Sequence, residues 1–346
     1  MENILNFTRD DLGKWLDEKG VRPFRAGQIF KWLYIRQVDS FGQMTDLSKP
    51  MREMLEAHFT IERLVLKDCQ VSKDKTQKYL FKLKDGEYIE SVLIPEKDHF
   101  TLCVSSQVGC AHDCKFCLTA RGGLVRNLTV SEIIAQIRDA RFFLIQKGLE
   151  PLKLSNLVFM GMGEPLANYQ NLIKALSIIT DSDYGLKFSN KRVTVSTSGL
   201  IPKITQLGLD TDVNLAISLN ATTDQMRSRL MPINKKYPLK QLLEACRHFQ
   251  MKPRKKITFE YILIKDLNDS QEDAQRLIKL LSKIKAKVNL IPYNEYDHGE
   301  FKQPSREKVS EFLQILLDQN MTAMTRKSKG ADISAACGQL KAKLNA

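Results

Sequence analysis

The chain has 346 residues, 43% hydrophobic and 27% charged, enough for one large core with an appendage or for two domains. Lys and Arg number 53 against 40 Asp and Glu, a formal charge of +13. That balance points to a polyanionic partner, or else to a solvated basic surface. It contains no apolar run of the roughly 18 residues that a membrane-spanning helix needs, and its N-terminus lacks the basic and apolar blocks of a secretory signal. A cytoplasmic, reducing location is therefore expected, where clustered cysteines act as metal ligands or catalytic groups rather than as disulfides.

The first sixty residues read as helices. Thr8 or Asp10 can cap the first, which runs to about Lys19; a second is expected near 25–36 after Pro23, and a third near 45–58. Four β-rich segments follow: IERLVLKDC (61–69), TQKYLFKLKD (76–85), EYIESVLIP (87–95) and FTLCVSS (100–106). Turn-like SKDK and KDGE separate the first three, which predicts antiparallel pairing.

From about residue 101 short apolar runs alternate with amphipathic segments of helical length. The runs lie at 102–106, 156–161, 192–197, 213–219, 257–264, 287–293 and 321–327. Helical patterns lie near 129–147, 168–181, 200–208, 238–250, 270–284 and 305–319. This alternation predicts an α/β fold with parallel strands, as an open sheet or a barrel, with its chemistry in loops at the C-terminal strand ends. Basic clusters recur at 190–192, 234–240, 252–256, 283–287 and 326–329.

After the first strand of this region comes GCAHDCKFC, with Cys110, Cys114 and Cys117 in eight residues. One reading is zinc, with His112 or Cys103 as fourth ligand. The other is an iron–sulfur cubane held by three thiolates, with one iron open to an outside ligand. The C-x3-C-x2-C spacing resembles the signature of the radical S-adenosylmethionine (SAM) superfamily. That resemblance implies a partial (β/α)6 barrel, one [4Fe-4S] cluster on the three cysteines, and SAM chelated to the open iron as a source of the 5′-deoxyadenosyl radical.

The likeness extends further. LCVSSQVGCAHDCKFC, VFMGMGEPLAN, KRVTVSTSG, LAISL, PINKKYP, VNLIPYN and DISAACGQL occur in this order. Together they resemble the RlmN family, which methylates adenine C2 in 23S rRNA and in tRNA. The resemblance implies two SAM per turnover, one as methyl donor and one as radical source. Cys337 would carry the methyl as S-methylcysteine. Cys103 would attack the sulfur of Cys337 to release the product through a transient disulfide. Glu90, a carboxylate inside an apolar strand, would accept the C2 proton, with Glu96 the next candidate. SAM contacts would fall to Gly163, Glu164, Ser196, Ser218, Leu219, Asn220 and Asn294, at expected strand ends.

Without the resemblance, Cys103 and Cys337 read as buried small residues, and the Ser, Asn and Gly positions as turn chemistry. Asn220 stands where His is frequent in the family, and Ala331 and Ser334 where Asp is. The family pattern further implies a helical RNA-binding accessory domain over 1–60, a β-rich extension over 61–98 and a radical SAM core with a C-terminal catalytic segment over 99–346. A monomer is expected, served by an electron donor such as flavodoxin or ferredoxin. The nearest alternative is the related adenine-C8 rRNA methyltransferase, against which Pro165 counts. An alternative of another class is a zinc-bound, non-catalytic RNA-binding module.

Overall fold

The computed structural model describes residues 1–296 and 299–342. Its N-terminal helices start where side chains can cap them. Helix α1 (Arg9–Glu18) begins at Thr8, whose hydroxyl accepts from the Asp11 amide at 3.1 Å. Helix α2 (Arg25–Phe30) passes into a wider π-type segment, Lys31–Arg36, so the single helix expected over 25–36 changes its winding midway. Helix α3 (Lys49–His58) is shorter than expected, starting after Ser48 with Pro50 in a first turn that needs no donor there. Leu12, Leu16, Ile29, Phe30 and Leu55 from these helices belong to the same hydrophobic cluster as the interior of the main sheet.

That sheet has ten strands. β1 (Val65–Val71), β2 (Gln77–Lys82) and β3 (Tyr88–Pro95) pair antiparallel, as expected, and β3 continues antiparallel onto β4 (Phe100–Cys103). From β4 onward every pairing is parallel: β5 (Leu154–Phe159), β6 (Val193–Thr197), β7 (Asn214–Ser218), β8 (Ile257–Leu263), β9 (Ala286–Pro292) and β10 (Ala323–Thr325). Spatial order follows chain order from β1 to β10. The antiparallel extension is thus continuous with the parallel sheet and braces its first edge.

Helices return the chain between parallel strands: α4 (Val130–Gln146), α5 (Tyr169–Thr180), α6 (Ile201–Asp210), α7 (Asp224–Leu230) with α8 (Leu239–Arg247), α9 (Gln271–Leu281) and α10 (Arg306–Asp318). Six βα units and a final strand make the partial (β/α)6 barrel. Helix α7, with the polar sequence DQMRSRL, is too short for periodicity to reveal, and sequence reasoning missed it. Strand β8 is buried along its whole length, as helix-covered parallel strands are, and it carries Glu260 in its middle. Among the described residues no helix is long and apolar enough to cross a membrane.

Candidate active site

The C-terminal ends of the parallel strands converge on one cavity. It is lined by Cys110, Cys114 and Cys117 from the loop after β4, and by Gly163, Glu164, Ser196, Ser218 and Asn220 from the ends of β5 to β7. The cysteine loop is shaped by a small antiparallel pair, Gln107–Gly109 with Leu124–Asn127, and by the Cys110 amide donating to Gly123 O at 2.7 Å. His112 Nδ1 lies 2.5 Å from Ser198 Oγ, so His112 pins the loop against the end of β6.

Among the described residues no three His, Cys, Asp or Glu side chains converge on a single-ion site. The three thiols ring a cavity instead, which fits a multi-iron cube better than one zinc ion. Burial pushes the Cys110 thiol up to about 12 and the Cys114 thiol well above its usual value. Thiols so placed take a metal by giving up their protons to it. Phe116, Leu230, Met231 and Ile262 form an apolar cluster against Cys114 and Cys117, which excludes water from that wall. The donor set, its spread and its dry backing all fit a [4Fe-4S] cluster with ligand space beside it.

The strand-end residues are tightly organised. Gly163 has φ +96°, and a Cβ there would stand 2.5 Å from the Gln107 Cβ, so the backbone passes β4's extension too closely for any side chain. Glu164 is buried: Oε2 accepts the Ser198 amide and hydroxyl at 2.8 and 2.9 Å, and Oε1 accepts the Leu166 amide at 3.1 Å. A carboxylate retains lone pairs for a ligand beyond these three bonds. Asn220 adopts φ +57°, and its Oδ1 accepts from the Ile262 amide at 2.9 Å, locking β7's end to β8.

Two expected SAM contacts, Leu219 and Asn294, are not among the residues that line the thiol-lined cavity. The Leu219 side chain is fully buried in the core, and its amide donates to Glu260 O at 3.0 Å. Asn294 is outside the thiol-lined cavity; its Nδ2 donates to Cys337 O at 3.2 Å and its Oδ1 accepts from Ser328 Oγ at 2.5 Å. It therefore holds the Cys337 loop.

Sequence reasoning also missed two groups. Arg227 of α7 is fully buried and donates to Ser198 O at 2.6 Å, Leu219 O at 3.1 Å and Ser218 O at 3.2 Å, tying the β6 and β7 loops together. A charge on an undetected short helix carried no signal for this. Glu260 lines the cavity; one carboxylate oxygen accepts from Asn289 at 3.0 Å and the other, buried, has no partner among the described residues. Burial raises its pKa. Its signal was available: a carboxylate within the apolar run ITFEYILI, the pattern that singled out Glu90.

Cys337 borders the thiol-lined cavity and also a second one, lined by Cys103, Glu96, Arg326 and Leu340. Its segment is clamped from both sides. Gly338 O accepts from the Leu118 amide at 2.7 Å, and Leu340 O accepts from Thr119 Oγ1 at 2.7 Å. Across the segment, Asp74 accepts the Gly330 amide at 3.1 Å and Asp332 accepts Ser72 Oγ at 2.5 Å. Cys103 is buried, and burial pushes its thiol up to about 12 with Cys337 adding to the rise and Arg326 opposing it. Water reaches Cys337 through the cavity mouths, but the crowding walls raise its thiol as well, again against Arg326. Both thiols are free.

Glu90 shares a face of β3 with Val92 and Ile94, which line the second cavity. Its carboxylate is buried, 3.3 Å from Lys78 Nζ, and Oε2 accepts the Lys341 and Ala342 amides at 2.8 and 3.1 Å. It therefore sits beneath the C-terminal segment at the cavity's edge, whereas Glu96 lines the cavity itself.

Residues 2–61 match the ribosomal RNA large subunit methyltransferase N-terminal domain, and residues 104–278 match the radical SAM superfamily. A dual-specificity RNA methyltransferase RlmN of Desulfosudis oleivorans is 57% identical, over 99% of this chain and 91% of that protein. Its counterpart in Geobacter sulfurreducens is 52% identical, over 100% of this chain and 94% of that protein. A crystal structure of a radical SAM methyltransferase from Sphaerobacter thermophilus superposes with a TM-score of 0.90 at 40% identity, covering 99% of this chain and all of that one.

Proposed function

The chain belongs to the dual-specificity RNA methyltransferase RlmN family within the radical SAM superfamily, and from that premise we propose that it methylates C2 of adenine in 23S rRNA and in tRNA. When bound, the cluster and SAM supply a methyl donor and a 5′-deoxyadenosyl radical. Cys110, Cys114 and Cys117 hold the cluster, and Gly163, Glu164, Ser196, Ser218 and Asn220 form the walls of the SAM site.

One observation carries the reading: Cys337 borders both the thiol-lined cavity and the cavity that contains Cys103. A thiol there can be loaded from one side and deliver to a base on the other. Adenine C2 is not nucleophilic, so a protein-borne carbon is a way to reach it that direct polar transfer is not. Once the base is joined to Cys337 through a methylene, the Cys103 thiolate attacks the Cys337 sulfur, and the methylated base leaves. Glu90 takes the C2 proton after the Lys341 and Ala342 amides release its oxygen.

The basic clusters bind RNA phosphates, and residues 1–60 form an RNA-binding accessory domain joined through 61–98 to the catalytic region 99–346. A base reached this way must leave its stack. The enzyme works in the cytoplasm as a monomer, with flavodoxin or ferredoxin as donor. The decisive test is nucleoside analysis of 23S rRNA and tRNA from cells with and without the protein. The reading expects 2-methyladenosine only with it; 8-methyladenosine in its place would overturn the C2 assignment. Anaerobically purified protein should absorb broadly near ~400 nm, and a colourless protein with one zinc would sink the cluster assignment. Replacing Cys103 by Ala should trap RNA covalently on Cys337.

A further inference from the structure

Arg326 follows β10 directly, and its amide donates to Leu290 O at 2.8 Å, so the sheet fixes its backbone. Its half-buried side chain lines the second cavity together with Cys103, Cys337 and Glu96. The guanidinium's hydrogen-bond partner among the described residues is Met160 Sδ, at 3.8 Å, a weak acceptor for five N–H donors. Glu260 and Glu96 act on the guanidinium through space without a hydrogen bond among the described residues, so this half-buried cation still favours negative charge that forms beside it. The nearest charge the proposed reaction creates there is on sulfur.

We propose that Arg326 is the positioning residue for the resolving step, favouring the negative charge that forms on Cys103 as it attacks the sulfur of Cys337 in the cavity all three line. The inference rests on the methyl-carrier reading above. In that step the Cys103 sulfur supplies the electron pair of the new S–S bond. The Cys337 S–C bond breaks with its pair on the carbon attached to the base, and that carbon takes a proton to become methyl. The two sulfurs lose two electrons and the carbon gains them; a dithiol reductant then restores both thiols.

Burial pushes the Cys103 thiol up even though Arg326 opposes the rise, so its thiolate depends on the positive charge that shares its cavity. The charged and titratable groups around the pair are Arg326, Lys327 and Lys329 after β10, Glu96 after β3 and Cys117 on the cluster loop, with Glu260 of β8 acting on Cys337 and Arg326. Of the cations, Arg326 is the one that acts on both Cys103 and Cys337. Lysine in its place would keep the charge but not the planar fork.

The test follows the covalent protein–RNA species on denaturing gels, using holoenzyme and radiolabelled RNA. Arg326→Met should accumulate the adduct that wild type passes through, releasing it at least about tenfold more slowly at pH 7.5. Release should then quicken roughly tenfold per pH unit up to pH 9, with Arg326→Lys intermediate. In the unloaded protein, the rate of Cys103 alkylation at pH 8, read by mass spectrometry, should fall at least about tenfold in Arg326→Met. Slow release that ignores pH, or an unchanged alkylation rate in both variants, would overturn the proposal. So would a parallel loss of RNA affinity by filter binding, which would make Arg326 a phosphate anchor. If Cys103→Ala traps no adduct, the resolving step itself fails, a result distinct from a normal trap with normal release in the Arg326 variants.

Discussion

Gly163 and Gly86 separate two costs that are usually mixed. Both have positive φ, +96° and +94°. A Cβ at Gly86, in the turn between β2 and β3, would meet nothing within 4 Å. One at Gly163 would stand 2.5 Å from the Gln107 Cβ and 2.8 Å from the Gln107 backbone nitrogen, which cannot swing away. Gly86→Ala should therefore cost only the left-handed backbone penalty, about 1–2 kcal/mol. Gly163→Ala adds overpacking of about 1–3 kcal/mol, for a total of about 2–5 kcal/mol. With an unfolding entropy of about 0.7 kcal/mol/K for 346 residues, each kcal/mol lowers Tm by about 1.4 °C. Calorimetry should show Gly86→Ala melting about 1.5–3 °C below wild type and Gly163→Ala about 3–7 °C below. Only Gly163→Ala should also weaken SAM binding, since the Glu164 amide donates to Gln107 Oε1 at 2.8 Å and both must shift together. Equal melting shifts, or undisturbed SAM affinity in Gly163→Ala, would refute the close-approach argument.

Asn294→Ala removes the donor to Cys337 O, a bond of about 1 kcal/mol, so methylated RNA should form roughly fivefold more slowly while SAM affinity holds. A fall in SAM affinity alone would restore the ligand role expected from sequence. Asp74 gives a pH handle on the clamp. Burial opposes its ionisation, but Thr76, the Gly330 amide and Ser72 outweigh it and hold the carboxyl down at about 2, against 3.8 ordinarily. A lowered folded pKa means its contribution is present above about pH 4 and is lost as pH falls toward 2. Protection of the Gly330 amide, taken relative to its intrinsic exchange rate, should fall as pH drops through that window, and Asp74→Asn should be little protected throughout; protection that is flat with pH in wild type would remove Asp74 from the clamp.

Much of this protein was legible from sequence because it depends on neighbours along the chain. Period-two and period-3.6 patterns placed nearly all strands and long helices, since each reflects which face of a local element is buried. The three cysteines fall within eight residues, so their common cavity needs only one loop. Their likeness to a known family carried Cys103, Cys337 and Glu90, which local pattern could not link. Tertiary structure decided the rest. Ser218 and Asn220 reach the thiol-lined cavity, while the Leu219 side chain packs in the core and Asn294 bonds the Cys337 loop. Arg227 ties together two loops from a helix too short to be seen. Glu260 and Arg326 flank Cys337 from β8 and the end of β10, 77 and 11 positions before it in the chain. Burial, charge proximity and hydrogen-bond partners are properties of the assembled sheet, and no segment carries them alone.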